Sequence, residues 1–326
     1  MKPLLKYPGG KQKELPLVGK YKPEYFERYF EPFLGGGSVY LNINVERSYV
    51  NDFSFDLINF YKFVQKQDKT FFNYLEELNR LWSVIENDNE TLESFITLNN
   101  YKKYYIDSLN LKNKKIAGFE KEGVKVSQKD KDDVVLTAKK TALYMIVRDI
   151  YNGEKENIEL RTAAFYFMRE YCYSSMFRFS KTGKFNVPYG GRSYNLKYMT
   201  EKINYMKSKK LVDYFKNTKI YNLDFEEFLN NFELTENDFI FLDPPYDSDF
   251  STYDQNIFDK SEQERLANYL KNTKANWMLI IKKTDFISDL YKNFNIITYD
   301  MNYMVSFKNR NEREVEHLLI TNYEVK

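Results

Sequence analysis

The chain has 326 residues, of which 43% are hydrophobic and 29% are charged, and its formal net charge is +2. This composition is typical of a globular protein with one large or two smaller domains, and it excludes a disordered or fibrous chain. A net charge so close to zero does not identify a polyanionic partner, so any nucleic-acid surface must be a local basic patch.

The scarcity of cysteine and histidine excludes several kinds of site. Cys172 is the single cysteine, so no internal disulfide can form, and the single histidine, His317, leaves no His/Cys cluster for zinc. No apolar run approaches the roughly 18 residues of a membrane span, and the N-terminus lacks the pattern of a signal peptide. We therefore expect a soluble cytoplasmic protein that holds no metal and does not enter a membrane.

Residues 4–11 combine a Pro-Gly-Gly turn with two lysines, and a helical stretch follows over about residues 12–19. Glycines allow a ligand to approach the backbone closely, and Lys6 and Lys11 would place positive charge beside it. Taken alone, this segment is better explained as a plain turn.

Residues 29–41 indicate the start of a nucleotide-binding α/β unit. An apolar strand runs into three glycines, residues 35–37, and helical spacing resumes after them. The loop lacks the Gly-x-Gly-x-x-Gly of a dinucleotide site and the Gly-Lys-Ser/Thr of a phosphate-binding loop. Residues 48–52 then predict a second strand ending at Asp52, where an acid would hold ribose hydroxyls. A helix-capping role is the alternative for Asp52.

The middle of the chain has a different character. Apolar residues recur at helical spacings over residues 57–170, which predicts several amphipathic helices. Residues 110–133 are lysine-rich with little apolar periodicity, so we predict an exposed loop or a partly disordered insertion there. Its lysines could contact DNA, although a solvated face is favoured.

Residues 173–192 predict a β-hairpin. Phe177 and Phe179 alternate on one side of a Lys-Thr-Gly-Lys turn, and Phe185 and Val187 alternate on the other. Basic residues interleave with these aromatics, as in nucleic-acid surfaces where cations bind phosphates and arginine reads base edges. The basic residues are Arg178, Lys181, Lys184 and Arg192. An exposed hairpin with solubilising lysines is the alternative.

The C-terminal part alternates strands and helices. After helices within residues 196–215, strands are predicted over residues 219–225, 238–242, 277–281 and 316–321, with a helix that Ser261 and Glu264 begin as a capping box. This pattern predicts a doubly wound, mostly parallel α/β sheet interrupted by a largely helical insertion. We assign residues 1–56 and 196–326 to the sheet domain and residues 57–195 to the insertion.

The tetrapeptide Asp243-Pro244-Pro245-Tyr246 carries the most specific chemistry. It follows the apolar strand 238–242, and open α/β sheets bind ligands outside the carboxyl ends of their strands. The Asp243 carboxylate and the Pro244 carbonyl are both acceptors, which suits an exocyclic amine with two N–H donors, as in adenine or cytosine. Tyr246 adds a ring on which a base could stack. A proline turn with a surface aspartate is the alternative.

The motifs, their order and their spacing together resemble the Dam-type (D12 class, alpha group) DNA adenine-N6 methyltransferases. Residues 6–11 resemble the N-terminal cofactor segment of that family, residues 31–38 its glycine-rich loop, and Asn51-Asp52 its ribose-binding acid. Residues 185–190 resemble the end of its recognition hairpin, and residues 243–246 its catalytic tetrapeptide. The resemblance extends through nearly the whole chain.

The resemblance implies a Rossmann-like methyltransferase fold with an inserted target-recognition domain, S-adenosylmethionine as the methyl donor and double-stranded DNA as the partner. It implies Asp243, Pro244, Pro245 and Tyr246 as catalytic residues. The cofactor-binding residues are then Tyr7, Lys11, Phe33, Gly35, Gly37, Asp52, Asp224, Phe225 and Asp243. The DNA-binding residues, from the resemblance and the hairpin together, are Lys6, Tyr173, Ser174, Met176, Arg178, Lys184 and Arg192. The resemblance also suggests GATC as the target and monomeric action. The sequence is compatible with a lone regulatory enzyme, with a phage protein and with one half of a restriction-modification pair that has a cognate restriction endonuclease.

The residues agree with this chemistry. Acceptors at Asp243 and Pro244 would bind both N–H groups of an amine and localise its lone pair for attack on a methyl group. The adenine would be flipped from the duplex to reach them. Cys172 lies outside any Pro-Cys context, which argues against methylation of cytosine carbon 5. Cytosine N4, RNA or a protein amide as substrate, and an inactive DNA-binding homologue, are the alternatives.

Overall fold

The chain divides into two units, within which the structure, a computed structural model, describes residues 1–7, 9–86, 94–246, 258–302 and 314–325. The sheet unit comprises Met1–Pro3, Gly9–Ile58 and Lys216–Lys326, and the helical unit comprises Leu4–Pro8 and Asn59–Phe215. Residues 247–257, which follow the predicted catalytic tetrapeptide, and Pro8 of the predicted turn lie outside the described residues.

The strands belong to the sheet unit. They are β1 (Arg28–Glu31), β2 (Arg47–Asn51), β3 (Thr218–Tyr221), β4 (Asp238–Leu242), β5 (Asn276–Lys282), β6 (Asn295–Asn302) and β7 (Glu314–Thr321). Their order in the sheet is β3-β2-β1-β4-β5-β7-β6. The first five pair in parallel, and β7 is antiparallel to both β5 and β6. This confirms the predicted mostly parallel, doubly wound sheet. Successive strands are added on one side of β1 and then on the other side, from β4 onwards, so the topological switch point lies between β1 and β4.

The helices alternate with these strands and also fill the middle of the chain. They are α1 (Leu15–Tyr21), α2 (Phe55–Lys66), α3 (Lys69–Val84), α4 (Tyr101–Lys121), α5 (Gln128–Gly153), α6 (Ile158–Tyr171), α7 (Thr200–Met206), α8 (Lys209–Phe215), α9 (Phe225–Asn230), α10 (Lys260–Asn272) and α11 (Asp285–Leu290). The amphipathic helices predicted over residues 57–170 are confirmed. None of the helices described is long and apolar enough to cross a membrane.

The core of the sheet unit explains why β4 is a central strand. All five of its residues are buried, as expected for a parallel strand covered on both faces. Side chains from neighbouring strands and from α10, including Phe30, Leu266, Leu279 and Ile320, share one hydrophobic cluster with Ile240 of β4. The residue that follows β4 is therefore held on a rigid element.

The prediction of a loop over residues 110–133 is wrong. Most of this stretch is helical, because it contains the C-terminal half of α4 and the start of α5. The first turn of α5 is fixed by a capping box in which Ser127 Oγ accepts from Asp130 N and Asp130 Oδ2 accepts from Ser127 N, at 3.2 and 3.3 Å. Lysine and glutamate have high helix propensity, so a polar composition does not by itself exclude a helix.

Two smaller predictions also differ from the structure. Only a short 3₁₀ helix, Tyr40–Asn42, follows the glycine loop, because β2 begins at Arg47 and leaves no room for a longer helix. At α10 the N-cap is Asp259, not Ser261, since its side chain accepts from the backbone N–H groups of Ser261 and Glu262 at 2.9 and 3.2 Å.

An ion pair fixes the beginning of β4. Arg28 Nε and Nη2 donate to the two carboxylate oxygens of Asp238 at 2.6 and 2.7 Å. The backbone N–H of Thr235 donates to the same carboxylate at 2.7 Å. Asp238 is buried, so its negative charge depends on these donors.

We predict that Asp238→Asn lowers the free energy of unfolding by about 1.5–3 kcal/mol, because hydrogen bonds to a charged group are lost in a buried place. Urea unfolding followed by circular dichroism measures this. Asp289→Asn is the control: Asp289 makes an exposed pair with Lys292, and such pairs contribute about 0–1 kcal/mol. Equal effects of the two substitutions would contradict the assignment.

Candidate active site

Acidic residues lie at the carboxyl ends of the four strands on one side of the sheet. Glu31 ends β1, Asp52 follows β2, Asp224 comes shortly after β3, and Asp243 follows β4. Since these strands are parallel neighbours in the order β3-β2-β1-β4, their carboxyl ends share one edge of the sheet. Ligands of open α/β sheets bind at this edge, next to the topological switch point, which here lies between β1 and β4.

Lys11 forms an ion pair and a hydrogen bond with the tetrapeptide at this edge. Its Nζ lies 2.6 Å from Asp243 Oδ1, and it donates to Tyr246 Oη at 3.1 Å and to the carbonyl of Gly9 at 2.8 Å. The Lys11 side chain is 3% exposed and that of Asp243 is 21% exposed. Gln263 in α10 supports the same turn, since its Nε2 donates to the Pro245 carbonyl at 2.9 Å. The structure thus brings Lys11 and Gln263, from two other parts of the sequence, to the tetrapeptide.

Carboxyl groups outnumber lysines around this pair. Burial raises the pKa of Asp243, and the Lys11 ammonium opposes that rise by its charge and its hydrogen bond. Glu14 is only 3% exposed, and its Oε2 has no hydrogen-bond partner within the described part of the chain. Burial raises the pKa of Glu14 as well, and Lys11 again opposes the rise. Burial thus disfavours the charged form of both carboxyl groups, and the same ammonium opposes that effect at each of them.

Glu31 adds a third buried carboxyl. Tyr29 Oη donates to Glu31 Oε2 at 2.5 Å. Burial, with smaller contributions from the nearby charges of Asp243 and Asp52, raises the pKa of Glu31 well above its usual value. Glu31 thus resists ionisation.

His317 packs beneath the tetrapeptide. It is fully buried in β7, and its ring centroid lies 5.6 Å from that of Tyr246 and 5.8 Å from that of Tyr299. Burial, followed by the charges of Lys11 and Lys282, lowers the pKa of His317 to about 4. The imidazole is therefore neutral at physiological pH and acts as a packing surface for Tyr246.

The glycine-rich loop is held by Asp52 and Asn51. Asp52 Oδ2 accepts from the Gly35 N–H at 2.9 Å, and Asp52 Oδ1 accepts from the Ser54 N–H at 3.0 Å. Asn51 Nδ2 donates to the carbonyls of Pro32 and Leu223, both at 3.0 Å. One amide thus joins the segments that follow β1 and β3. Gly35 has a φ of 48°, a conformation that glycine adopts without strain.

The second predicted cofactor region surrounds Phe225. The Phe225 ring centroid lies 5.6 Å from that of Phe33 and 6.0 Å from that of Phe258. Arg265 in α10 lies 4.2 Å from the Phe225 ring and donates to both oxygens of Asp224, at 2.8 and 2.7 Å. The Arg265 bond and the N–H of Glu226 keep the pKa of Asp224 below its usual value despite burial. Asp224 is therefore a fixed anion next to an aromatic cluster.

In the helical unit, the hairpin is present as two isolated antiparallel bridges, Cys172 with Tyr189 and Phe179 with Phe185. Gly183 lies in the connecting turn with a φ of 73°. Cys172 is buried, its Sγ lies 3.1 Å from the Met176 carbonyl, and burial raises the pKa of its thiol to about 11.

The predicted DNA-binding residues lie along this hairpin. Arg178, Lys184 and Tyr173 are exposed, and Met176 is half-buried. Ser174 has a φ of 52°, which costs a residue with a Cβ some backbone strain, and such strain clusters at functional sites. Arg192 pairs with Asp130 and Asp133 at the start of α5. Lys6, the remaining predicted DNA-binding residue, lies on the N-terminal segment of the helical unit, next to Tyr7, which was predicted to bind the cofactor.

Sequence reasoning missed three of the polar residues that organise these regions. Glu14 and Arg265 act through contacts with residues distant in the chain, and no local motif marks such contacts. His317 entered the sequence analysis only where a His/Cys cluster for zinc was excluded. His317 lies on β7, which pairs with β5, the neighbour of β4. That strand assignment could have predicted that His317 lies close to the tetrapeptide.

We predict that His317 makes the protein less stable as the pH falls from about 6.5 to 4. The folded pKa, about 4, lies below the unfolded value, so the unfolded state binds a proton first and stability is lost across that window, by up to about 3 kcal/mol. Urea unfolding at several pH values measures the slope. His317→Gln should flatten it, and the same slope in both proteins would contradict the prediction.

Comparison with known proteins agrees with this geometry. A model of the D12 class N6 adenine-specific DNA methyltransferase family matches residues 7–305. The type II methyltransferase M.CviBI of Paramecium bursaria Chlorella virus NC1A is 26% identical over 99% of this chain and 100% of its own length. M.MjaIII of Methanocaldococcus jannaschii is 29% identical, with 99% of both chains covered. A Vibrio cholerae DNA adenine methylase is 26% identical over 82% of this chain and 76% of its own length. The chain therefore belongs to the D12 class of N6 adenine-specific DNA methyltransferases.

Proposed function

We propose that this adenine-specific DNA methyltransferase uses S-adenosylmethionine and that residues 243–246, with Lys11, form its catalytic site. The observation that carries the proposal is the ion pair between buried Lys11 and Asp243 at the carboxyl end of β4, with Tyr246 bonded to the same ammonium. Burial raises the pKa of Asp243, and the Lys11 ammonium opposes that rise because it favours the ionised carboxylate. An ionised Asp243 is a hydrogen-bond acceptor for an amine.

The chemistry of the site follows from its acceptors. The N6 of adenine is a weak nucleophile because its lone pair is delocalised into the ring. Hydrogen bonds from its two N–H groups to Asp243 and to the Pro244 carbonyl would localise that pair. Positioning and electrostatic stabilisation of the developing positive charge on N6 supply the rate enhancement. Transfer would form the bond between N6 and the methyl carbon as the bond from that carbon to the donor sulfur breaks, with its electron pair left on sulfur. Asp243, which would already accept a hydrogen bond from N6, would take up the proton that N6 loses.

The residues of the sheet unit fit the proposed donor. When bound, it supplies an electrophilic methyl group on a cationic sulfur. The surplus of carboxyl groups at Asp243 and Glu14 suits a cation. Glu14 Oε2, which has no hydrogen-bond partner among the described residues, is an acceptor available for one. Asp52 would hold ribose hydroxyls. The ring of Phe33 and that of Phe225 would pack against adenine, with Asp224 as an acceptor for its amino group.

The helical unit supplies the proposed DNA contacts. Exposed Arg178 and Lys184 on the hairpin suit base edges and phosphates, and Lys6 would read a further base. Adenine would reach Asp243 by rotating out of the duplex and stacking on Tyr246. GATC as the target, monomeric action and a cognate restriction endonuclease complete the proposal.

Methyl transfer from labelled S-adenosylmethionine into unmethylated duplex DNA, with nucleoside analysis and mapping of the modified sites, tests this function. We expect the label in N6-methyladenine, at one short sequence. Asp243→Asn should lower the rate at least about 10²-fold, the usual effect of removing one polar group that stabilises a transition state. Asp289→Asn serves as control. A folded wild-type protein that binds the cofactor but labels no DNA would overturn the proposal.

We further predict that Lys11→Met moves the acidic limb of the pH dependence of kcat to higher pH. Lys11 lowers the pKa of Asp243, so its removal lets burial raise that pKa further, and the carboxylate is lost at a higher pH. Rates at saturating cofactor and DNA measure the shift. Lys13→Met, which removes an exposed lysine two positions away, should leave the limb in place; a shift in both variants or in neither contradicts the prediction.

A further inference from the structure

Arg169, near the C-terminal end of α6, contacts two segments that are distant in sequence. Its Nη2 donates to the carbonyl of Lys6 at 3.0 Å. Its Cζ lies 4.6 Å from the ring centroid of Tyr7 and 4.3 Å from that of Phe177. One guanidinium group therefore touches both the N-terminal segment and the hairpin of the helical unit.

This cation is buried, and none of the ion pairs in the described part of the chain joins it to a carboxylate. Arg169 is 1% exposed, and its Nε has no hydrogen-bond partner among the residues described. The neighbouring carboxylate, Glu170, is bonded instead to Lys197 and Lys202, at 2.6 and 2.5 Å. Burying a charge is costly unless it is compensated. Here the compensation comes from one carbonyl and two aromatic rings.

An ordinary core position would not select an arginine. A methionine of similar length would fill the space without desolvation of a charge. A guanidinium differs because it is planar, and it can stack on rings and donate hydrogen bonds at the same time. The side chain at this position is therefore suited to joining the three groups that it touches.

Both joined segments carry an exposed basic residue. Lys6 is exposed, although Leu4 and Leu5 before it are buried, and Tyr166 Oη of α6 donates to the Leu4 carbonyl at 3.2 Å. On the hairpin, exposed Arg178 follows Phe177, which is buried against Phe165 and Phe185 at centroid distances of 5.3 and 4.5 Å. Each basic side chain thus starts from a backbone that is anchored on the core of the helical unit.

We propose that Arg169 is a positioning residue for DNA recognition, which fixes the segment bearing Lys6 relative to the hairpin bearing Arg178. This inference rests on the proposed function, in which both of those side chains read bases. Two base-contacting side chains on separate segments discriminate against a wrong base pair only if the distance between them matches the spacing of the bases. Arg169 touches no base itself and acts through the backbone it holds.

The test compares Arg169→Met with Arg161→Met. Arg161 lies on the same helix, bonds backbone carbonyls of residues 151 and 154, and lies 5.0 Å from the Tyr151 ring, so it is matched in residue type and contacts. The measurement is the ratio of kcat/KM on the mapped target duplex to kcat/KM on duplexes with one changed base pair. We expect Arg169→Met to lower this ratio about tenfold, the effect of weakening one good base contact, and Arg161→Met to leave it unchanged.

A purely structural role would lower stability but would not change the ratio, so an unchanged ratio in folded Arg169→Met overturns the proposal. If that variant does not fold, Arg169→Lys keeps the charge without the planar fork. A lowered ratio in Arg169→Lys then supports the proposal, and the wild-type ratio overturns it.

Amide hydrogen exchange without DNA gives a second measurement. The proposal expects faster exchange in residues 4–7 and 176–179 of Arg169→Met than in Arg161→Met, and equal exchange contradicts it. Failure of the wild-type protein to methylate DNA would instead overturn the proposed function, so the two failures are distinguishable.

Discussion

The ion pair between Lys11 and Asp243 joins the N-terminal turn to the end of β4, a strand whose five residues are all buried. Its 2.6 Å contact offsets a desolvation that would otherwise favour the neutral acid. Because Lys11 also bonds the Gly9 carbonyl and Tyr246, a single ammonium fixes the turn, the carboxylate and the aromatic ring together. The geometry of the tetrapeptide is then set by a residue that lies near the start of the chain.

The rest of the edge supports this pair through rigid backbone contacts. Asn51 bonds the segments after β1 and β3, and Asp52 bonds the glycine loop. Neutral His317 fills the space under Tyr246 without adding a positive charge. Such preorganisation lets polar groups act without rearranging during a reaction. The buried carboxyl groups are thus held among segments that hydrogen bonds connect to one another.

The sequence predicted the parts of this framework that depend on local pattern. We could recognise the apolar run before Asp243 and the strand ending at Asp52 because consecutive residues indicate both a buried strand and its end. The helical character of residues 110–133 was missed because polar helices and polar loops share a composition. Arg265 and Arg169 could not have been predicted, since each derives its role from partners brought near only by folding.

The state of Cys172 has a practical consequence for spectroscopy. The chain contains one cysteine, and that thiol is buried, with a pKa of about 11. Only the thiolate reacts quickly with maleimides and similar reagents, so the native side chain should be nearly inert to them at neutral pH. A cysteine introduced at an exposed position such as Lys181 would accept a single fluorophore in an otherwise unaltered protein. The movements of the hairpin could then be followed by fluorescence.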